Sequence, residues 1–328
     1  MRSKGIFSSQ KGPDTGPFRT GLTLILPLIL LVITFGTGPD PAHKRPPALS
    51  FSTEGLRQGG VARVELRTDQ WVRSVKGRFL EKEVFFFESG GDGKRTFHTL
   101  VGTDLYTRPG RHIFEVMLEG ENGSGRRHFY SVVVTEGGYE VERLTLPEAM
   151  VKPGAGVLKR IEMEKKTVER VVNNPSKERF WSGPFIMPVD GRITSGFGLK
   201  RILNGRPGSV HSGLDIRAPV GKEVLASNRA RVALTGELYF TGKTVILDHG
   251  LGLFTLYCHL SEIRVEEGDV VDKASVIGLA GSTGRTTGPH LHWGVYLNGS
   301  RVNPADLVTV TEAAERDTGA VVTGAASG

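Results

Sequence analysis

The chain has 328 residues, of which 38% are hydrophobic and 23% are charged, and its formal net charge is +7. This length exceeds that of a typical single domain and can hold two modest hydrophobic cores. The single cysteine excludes an intramolecular disulfide. The positive charge favours an anionic partner, such as an anionic polymer or a membrane surface, and the sequence contains no nucleic-acid-binding motif.

The first predicted element is an apolar segment over residues 22–35 that follows four basic residues. Its 14 residues match the apolar region of a secretory signal peptide better than a full membrane span. We therefore expect export to the periplasm or cell envelope, with residues 1–38 acting as a cleaved signal peptide or as a retained inner-membrane anchor. The sequence leaves both alternatives open, because residues 36–40 offer small side chains but no Ala-x-Ala cleavage motif.

A β domain is predicted next. Residues 39–47 are rich in proline and polar side chains, which is typical of an extended linker. From 48 to 135, short alternating runs such as 61–66 and 112–118 are separated by glycine-rich turns, and this pattern predicts an all-β sandwich. The sequence around 108–114 resembles an immunoglobulin-like module. We interpret the domain as a packing scaffold or substrate-positioning arm in preference to a dedicated ligand-binding module.

The connector over residues 136–180 contains a predicted amphipathic helix over 157–172, which Pro175 ends. Mixed charges occupy one face of this helix. The other face carries Val157, Leu158, Ile161, Val168, Val171 and Val172. Because the polar face carries both signs of charge, we expect the helix to dock the two domains together and not to bind a membrane.

Two short motifs in the last third of the chain carry metal-binding side chains, His211-Ser-Gly-Leu-Asp215 and His290-Leu-His292. Side chains alternate along a strand with a rise of about 3.3 Å per residue, so His290 and His292 would share one face about 7 Å apart. His211 and Asp215 would lie about 13 Å apart in extended chain, and Gly213 suggests a bulge or bend that shortens this gap. Two histidines and a carboxylate match the ligands of a catalytic zinc site. Spacing alone leaves open which histidine of the second motif binds.

Further motifs accompany these residues in order along the chain. They are Asp248-His249-Gly250, Tyr257-Cys258-His259-Leu260, Gly281-Ser-Thr-Gly284 and Asn303-Pro304. With them, residues 185–307 resemble the LytM or lysostaphin-type zinc endopeptidases, which cut peptidoglycan peptides. The resemblance implies an antiparallel β peptidase domain over 181–310, similar to a duplicated hybrid motif barrel. The predicted fold class is therefore mainly β, with an N-terminal sandwich and a C-terminal peptidase domain.

Transferred to the matching positions, the resemblance implies that His211, Asp215 and His292 bind one zinc ion and that His259 and His290 flank the catalytic water. These two imidazoles would replace the glutamate base of other zinc peptidases, since imidazole titrates near neutrality and can act as acid, base or donor. The implied function is an exported zinc metalloendopeptidase that hydrolyses peptide cross-links or stem peptides of peptidoglycan.

Two other functions stay open. A non-catalytic LytM-like protein can activate another cell-wall hydrolase, although such proteins usually lack metal ligands and all five histidine and aspartate positions are filled here. A module that only binds the cell wall would need none of these five residues.

Three parts of the C-terminal region are assigned structural roles. His249 stands beside Asp248 at a turn and is expected to hydrogen-bond within the fold. Cys258 precedes His259 on a predicted strand, so alternation points its side chain away from the site. Residues 311–328 are rich in Gly, Ala, Thr and Glu, which predicts a disordered tail.

Overall fold

The computed structural model describes residues 32–33, 47–89, 95–121, 123–144 and 155–322. The protein is mainly β, as predicted. Apart from Val32 and Ile33, the predicted signal or anchor segment lies outside the described residues, as does the linker up to residue 46. Within the described ranges, no helix combines the length and apolarity that a membrane crossing requires.

Two sheets make up the N-terminal domain. Their strands are β1 (Val32–Ile33), β2 (Ala48–Phe51), β3 (Leu56–Arg57), β4 (Val61–Thr68), β5 (Val72–Phe79), β6 (Lys82–Phe85), β7 (Phe87–Ser89), β8 (Arg95–Gly102), β9 (Gly110–Gly120) and β10 (Gly125–Thr135). One sheet has the order β1-β10-β9-β5-β6 with β3 beside β10, and the other has the order β2-β4-β8-β7. Alternate residues of β4 and β9, such as Leu66 and Phe114, are buried in one core, which is the pattern that predicted two half-buried sheets. The immunoglobulin-like topology stays a prediction.

A ten-stranded sheet dominates the C-terminal domain. Its strands are β12 (Ile193–Ser195), β15 (Gly213–Arg217), β16 (Glu223–Leu225), β17 (Ala230–Leu238), β18 (Gly242–Gly250), β19 (Leu253–Ile263), β20 (Val270–Val271), β21 (Val276–Ala280), β22 (His290–Leu297) and β23 (Ser300–Val302). The central order is β12-β15-β22-β19-β18-β17-β20. A separate small sheet is formed by β11 (Val141–Leu144), β13 (Lys200–Leu203) and β14 (Arg206–Val210). This small sheet joins the connector to the C-terminal domain.

The predicted connector helix is present as α1 (Ala155–Val172). Its end packs on the C-terminal sheet, where Val172 forms a cluster with Ile246 and Phe254. The Glu164 carboxylate also accepts a hydrogen bond from the backbone N–H of Tyr239 at 2.8 Å. Leu158, which the helical pattern placed on the apolar face, is 51% exposed. These contacts attach α1 to the peptidase domain.

The C-terminal helix corrects the predicted tail. Helix α2 spans Pro304–Val322, so disorder from residue 311 is wrong for 311–322, and residues 323–328 lie outside the described range. The side chain of Asn303 caps the helix by accepting from the N–H of Ala305 at 3.1 Å. Thr311 is 5% exposed, and its hydroxyl accepts a hydrogen bond from the N–H of Phe185 at 3.0 Å. Capping and docking at the start of the helix outweigh a composition that is typical of disorder.

The two domains share part of one hydrophobic core. Val61, Leu100 and Leu105 of the N-terminal domain belong to the same buried cluster as the core of the C-terminal domain. At Gly102, an added Cβ would lie 2.6 Å from the Val302 side chain. An ion pair of 2.6 Å joins Arg57 to Asp306. The N-terminal domain is therefore packed firmly against the peptidase domain.

Candidate metal centre

The central strands carry two rows of side chains on opposite faces of the sheet. Asp215 of β15 lies opposite His292 of β22, which lies opposite Cys258 of β19. The next row, made of Leu214, Trp293 and Tyr257, is buried in the core. Directly opposed residues of neighbouring strands project to the same face. Because the second row faces the core, the first row, which contains Asp215 and His292, lies on the opposite face of the sheet, where the site is.

The structure brings the three predicted ligands together. The Nε2 atom of His211 lies 2.9 Å from Oδ1 of Asp215 and 3.1 Å from Nδ1 of His292. The same Nδ1 atom lies 2.8 Å from Oδ1 of Asp215. A tetrahedral ion with bonds of about 2 Å would hold its ligand atoms about 3.3 Å apart. The side chain of His211 is 8% exposed, that of Asp215 is 15% exposed and that of His292 is 16% exposed. Small rearrangements of the side chains would complete the coordination geometry.

The donor set fits a cation. The Nδ1 atom of His211 lies 2.7 Å from the carbonyl oxygen of Gly196, which can only accept, so Nδ1 carries a proton and Nε2 is the atom of this ring that could bind a metal. Burial works to raise the pKa of Asp215, but its contacts with His211 and His292 outweigh burial and hold this pKa well below its usual range. An ionised carboxylate and two imidazole nitrogens that converge on one point match the donor types that zinc prefers, and a bound cation would take the place of the protons between them.

Gly213 is required by close packing and not by a bulge. The register between β15 and β22 is regular from Gly213 to Arg217, so of the two predicted alternatives, a bulge or a bend, the bulge is absent from this pairing. His211 lies outside both strands, in the two-residue connection between β14 and β15, and from there its Nε2 atom lies 2.9 Å from Oδ1 of Asp215. A Cβ at Gly213 would lie 2.5 Å from the carbonyl oxygen of Trp293 and 2.8 Å from the His292 ring. Any larger residue would displace a predicted ligand.

His259 and His290 lie beside the three ligands. Their ring centroids are 4.8 Å apart, and the His259 ring is 6.1 Å from that of His292. The Nε2 atom of His290 lies 3.6 Å from Oδ1 of Asp215. The Nδ1 atoms of His259 and His290 donate to the carbonyl oxygens of Thr283 and Gly288, each at 2.8 Å. When either ring is neutral, Nε2 is therefore the atom with the free lone pair.

Burial lowers the pKa of His259 to about 4, although its hydrogen bond to Thr283 opposes this shift. Because this value lies well below neutral pH, the His259 ring is uncharged under ordinary conditions and can accept a proton. The nearby His290 and His292 rings act in the same direction as burial.

The predicted orientation of Cys258 is wrong. Cys258 lies opposite His292 and so shares its face, although its side chain is fully buried. Strict alternation fails because His259 has a left-handed φ of 63°. Between Tyr257 and Leu260, β19 also contains one residue more than the facing stretch from Lys243 to Val245. This bulge brings His259 to the site face as well as Cys258.

His249 lies within the fold, as expected from its turn. Its ring is fully buried, with Nδ1 3.0 Å from the carbonyl oxygen of Arg229 and Nε2 2.7 Å from the hydroxyl of Thr255. The neighbouring Asp248 accepts hydrogen bonds from the N–H and hydroxyl of Ser176 at 2.9 and 2.6 Å. Both residues therefore connect strands and loops away from the three ligands.

Replacement of His249 by glutamine should weaken the dependence of stability on pH. Burial lowers the pKa of His249 to about 4, whereas a histidine in an unfolded chain titrates near 6.5. The unfolded state therefore takes up a proton first, and the free energy of unfolding should fall as pH decreases from about 6.5 to 4, by roughly 3 kcal/mol from this group. Urea unfolding at several pH values measures the effect. His112→Gln, at a half-buried position of the N-terminal domain, is the control, and equal pH dependence in His249→Gln and the parent would contradict the assignment.

The sequence did not reveal the backbone acceptors of the site. The carbonyl oxygens of Gly196, Thr283 and Gly288 orient His211, His259 and His290. A carbonyl group is present at every residue, so no residue type marks these positions. For Thr283, the neighbouring glycines of the Gly281-Ser-Thr-Gly284 motif are the signal in the sequence that could have indicated a special backbone path.

Known proteins are similar to the region of the chain that contains the candidate site. Residues 209–304 match the sequence model of Peptidase family M23. The DD-carboxypeptidase/endopeptidase Mpg of Neisseria meningitidis serogroup B is 40% identical over 120 residues, which cover 37% of this chain and 28% of that protein. The peptidoglycan DD-endopeptidase ShyA of Vibrio cholerae serotype O1 is 39% identical over 120 residues, which cover 35% of this chain and 28% of that protein. The chain thus matches less than a third of the length of these curated relatives.

A solved structure extends the likeness beyond the peptidase domain. The putative peptidase M23 of Pseudomonas aeruginosa superposes with a TM-score of 0.60 and 31% sequence identity. The match covers 79% of this chain and 96% of that protein, so it includes more than the C-terminal domain. With this coverage, and with the predicted metal-binding motifs inside the matched region, the chain belongs to peptidase family M23.

Proposed function

We propose that the protein is a zinc metalloendopeptidase that hydrolyses peptide cross-links or stem peptides of peptidoglycan. The observation that carries this proposal is the convergence of His211 Nε2, Asp215 Oδ1 and His292 Nδ1, with two further imidazoles beside them. One curated relative is named as a DD-carboxypeptidase/endopeptidase. The other is named as a peptidoglycan DD-endopeptidase. These names support a cross-link between stem peptides as the bond that is cut.

His211, Asp215 and His292 would hold one zinc ion, which when bound activates water and polarises the scissile carbonyl group. The Nε2 atom of His259 can accept a proton, since Nδ1–H of that ring is bonded to Thr283. Once protonated, Nε2 becomes a donor and can pass the proton to the leaving amine. His290 presents Nε2 in the same way, and once protonated this atom can donate a hydrogen bond to the negative charge that develops on the substrate oxygen.

The proposed location is the periplasm or cell envelope. The apolar segment over 22–35 and the basic residues before it support export, as a signal peptide or as an inner-membrane anchor. The net charge of +7 also favours association with an anionic polymer. Peptidoglycan peptides would be accessible to the enzyme in this compartment.

Digestion of purified peptidoglycan sacculi by the zinc-loaded protein should lower the fraction of cross-linked dimers and raise that of monomers. New reducing sugar ends should not appear, because glycosidases generally need a pair of carboxylates beside the sugar bond. Chromatography and mass spectrometry of the released fragments measure both. The Asp215→Ala protein is the negative control. An unchanged dimer fraction with zinc-loaded parent protein would reject the endopeptidase and favour the activator.

A further inference from the structure

Backbone groups of one short segment form three hydrogen bonds with the predicted ligand His211. We call residues 195–199 the strap. Its Gly196 carbonyl oxygen accepts a hydrogen bond from Nδ1 of His211 at 2.7 Å. The N–H of Gly198 donates to the carbonyl oxygen of His211 at 2.8 Å, and the N–H of His211 donates to the carbonyl oxygen of Leu199 at 3.0 Å. The strap therefore fixes both the backbone and the ring plane of this ligand.

The other side of the strap packs against a turn of the N-terminal domain. Phe197 is 6% exposed, and its ring meets that of Tyr139 edge to face, with centroids 5.7 Å apart. A Cβ at Gly59 would lie 2.3 Å from the Phe197 ring and 2.5 Å from the Tyr139 hydroxyl oxygen. The same hydroxyl donates to the carbonyl oxygen of Gln58. Both rings are therefore in contact with the turn that contains Gly59.

Tyr139, which belongs to the connector, also packs directly on the strap. A Cβ at Gly198 would lie 2.2 Å from the Tyr139 ring, and Gly198 has a left-handed φ of 82°. The strap can take this path only because residue 198 has no side chain. Close packing of this kind transmits displacements, since protein interiors have little free volume to absorb them.

We infer that Gly59, Tyr139 and Phe197 are positioning residues that set the orientation of the His211 imidazole. Through them, docking of the N-terminal domain determines how tightly the peptidase domain binds zinc. This inference rests on the proposed metal site. Loss of a group that orients a metal ligand typically weakens metal binding about 10- to 100-fold. The strap orients His211 in this way, and the N-terminal domain holds the strap in place through the turn that contains Gly59.

The central test is the zinc affinity of the full-length Gly59→Ala protein. The added methyl group should push Phe197 and the strap, and the dissociation constant for zinc should rise about 10- to 100-fold. The matched control is Gly123→Ala in the same domain, because Gly123 has a similar φ of 70° but no atom within 4 Å of an added Cβ. This control should retain the zinc affinity of the parent. Competition with a chelator measures affinity, and urea unfolding of the metal-free proteins measures stability.

A second readout separates positioning from packing. The visible spectrum of the cobalt-substituted protein reports ligand geometry, and it should change in Gly59→Ala but not in Gly123→Ala. Phe197→Ala should weaken zinc binding, and Phe197→Leu should recover most of the affinity because leucine still fills the space against Gly59. If Gly59→Ala does not fold, the two Phe197 variants carry the test alone.

Two negative outcomes are distinguishable. Parent-like zinc affinity and cobalt spectra in Gly59→Ala and Phe197→Ala would overturn the inference while leaving the proposed function intact. A parent protein that binds no zinc would overturn the proposed function, and the inference with it.

Discussion

Replacement of Asp215 by alanine should remove stoichiometric zinc binding and reduce peptidase activity to background. Oδ1 of Asp215 lies within 2.9 Å of a nitrogen of each of the other two predicted ligands. Its carboxylate supplies the negative charge of the donor set. Loss of the metal removes about 4 kcal/mol or more of transition-state stabilisation, which corresponds to about a thousandfold in rate. We expect His211→Ala and His292→Ala to behave in the same way.

Elemental analysis of the purified variants gives the zinc content, and circular dichroism shows whether they fold. Asp272→Ala is the control, because the Asp272 side chain is 84% exposed and forms an ion pair at the surface with Arg229. It should retain both zinc and activity. Folded alanine variants of the three predicted ligands that still hold one zinc ion each would show that the ligand assignment is wrong.

Removal of the imidazole of His259 or His290 should leave zinc in place but reduce turnover about 10²- to 10⁴-fold, the usual contribution of acid–base or oxyanion groups. For His259 the best substitution is asparagine, because this position has a φ of 63° and asparagine tolerates left-handed backbone. His290→Ala is the second variant. Zinc content and turnover on a peptide substrate should be measured on the same samples.

The variants of His290 and His292 also show which histidine of the second motif binds zinc, a question that spacing alone left open. If His290→Ala loses zinc while His292→Ala keeps it, the two residues exchange roles. Near-parental turnover in both His259→Asn and His290→Ala would instead show that neither imidazole takes part in the reaction. His112→Ala, at a half-buried position of the N-terminal domain, controls for the loss of a histidine in general.

The sequence predicted those parts of the site that depend on regular strands. His290 and His292 share a face because β22 is continuous from His290 to Leu297. Alternation failed at Cys258, where the left-handed backbone of His259 produces a bulge. That conformation is unusual for a residue other than glycine, so the sequence carried no sign of it.

Contacts between distant segments were not predictable for a different reason. Gly102 and Val302 meet at the domain boundary, yet neither belongs to a motif, and their proximity depends on how two complete domains dock. The end of the chain shows the same limit. Its composition predicted disorder, but the structure has helix α2, which Asn303 caps and which Thr311 joins to Phe185. The contact between Thr311 and Phe185 joins residues far apart in sequence, so composition could not indicate it.

The core that both domains share has an evolutionary consequence. Val61, Leu100 and Leu105 pack with residues of the peptidase domain, so a substitution on one side of the boundary changes the selective pressure on the other. The two halves of the chain should then diverge together. A chimera that joins the N-terminal half of one family member to the peptidase half of another would need the boundary residues to be transplanted as a set.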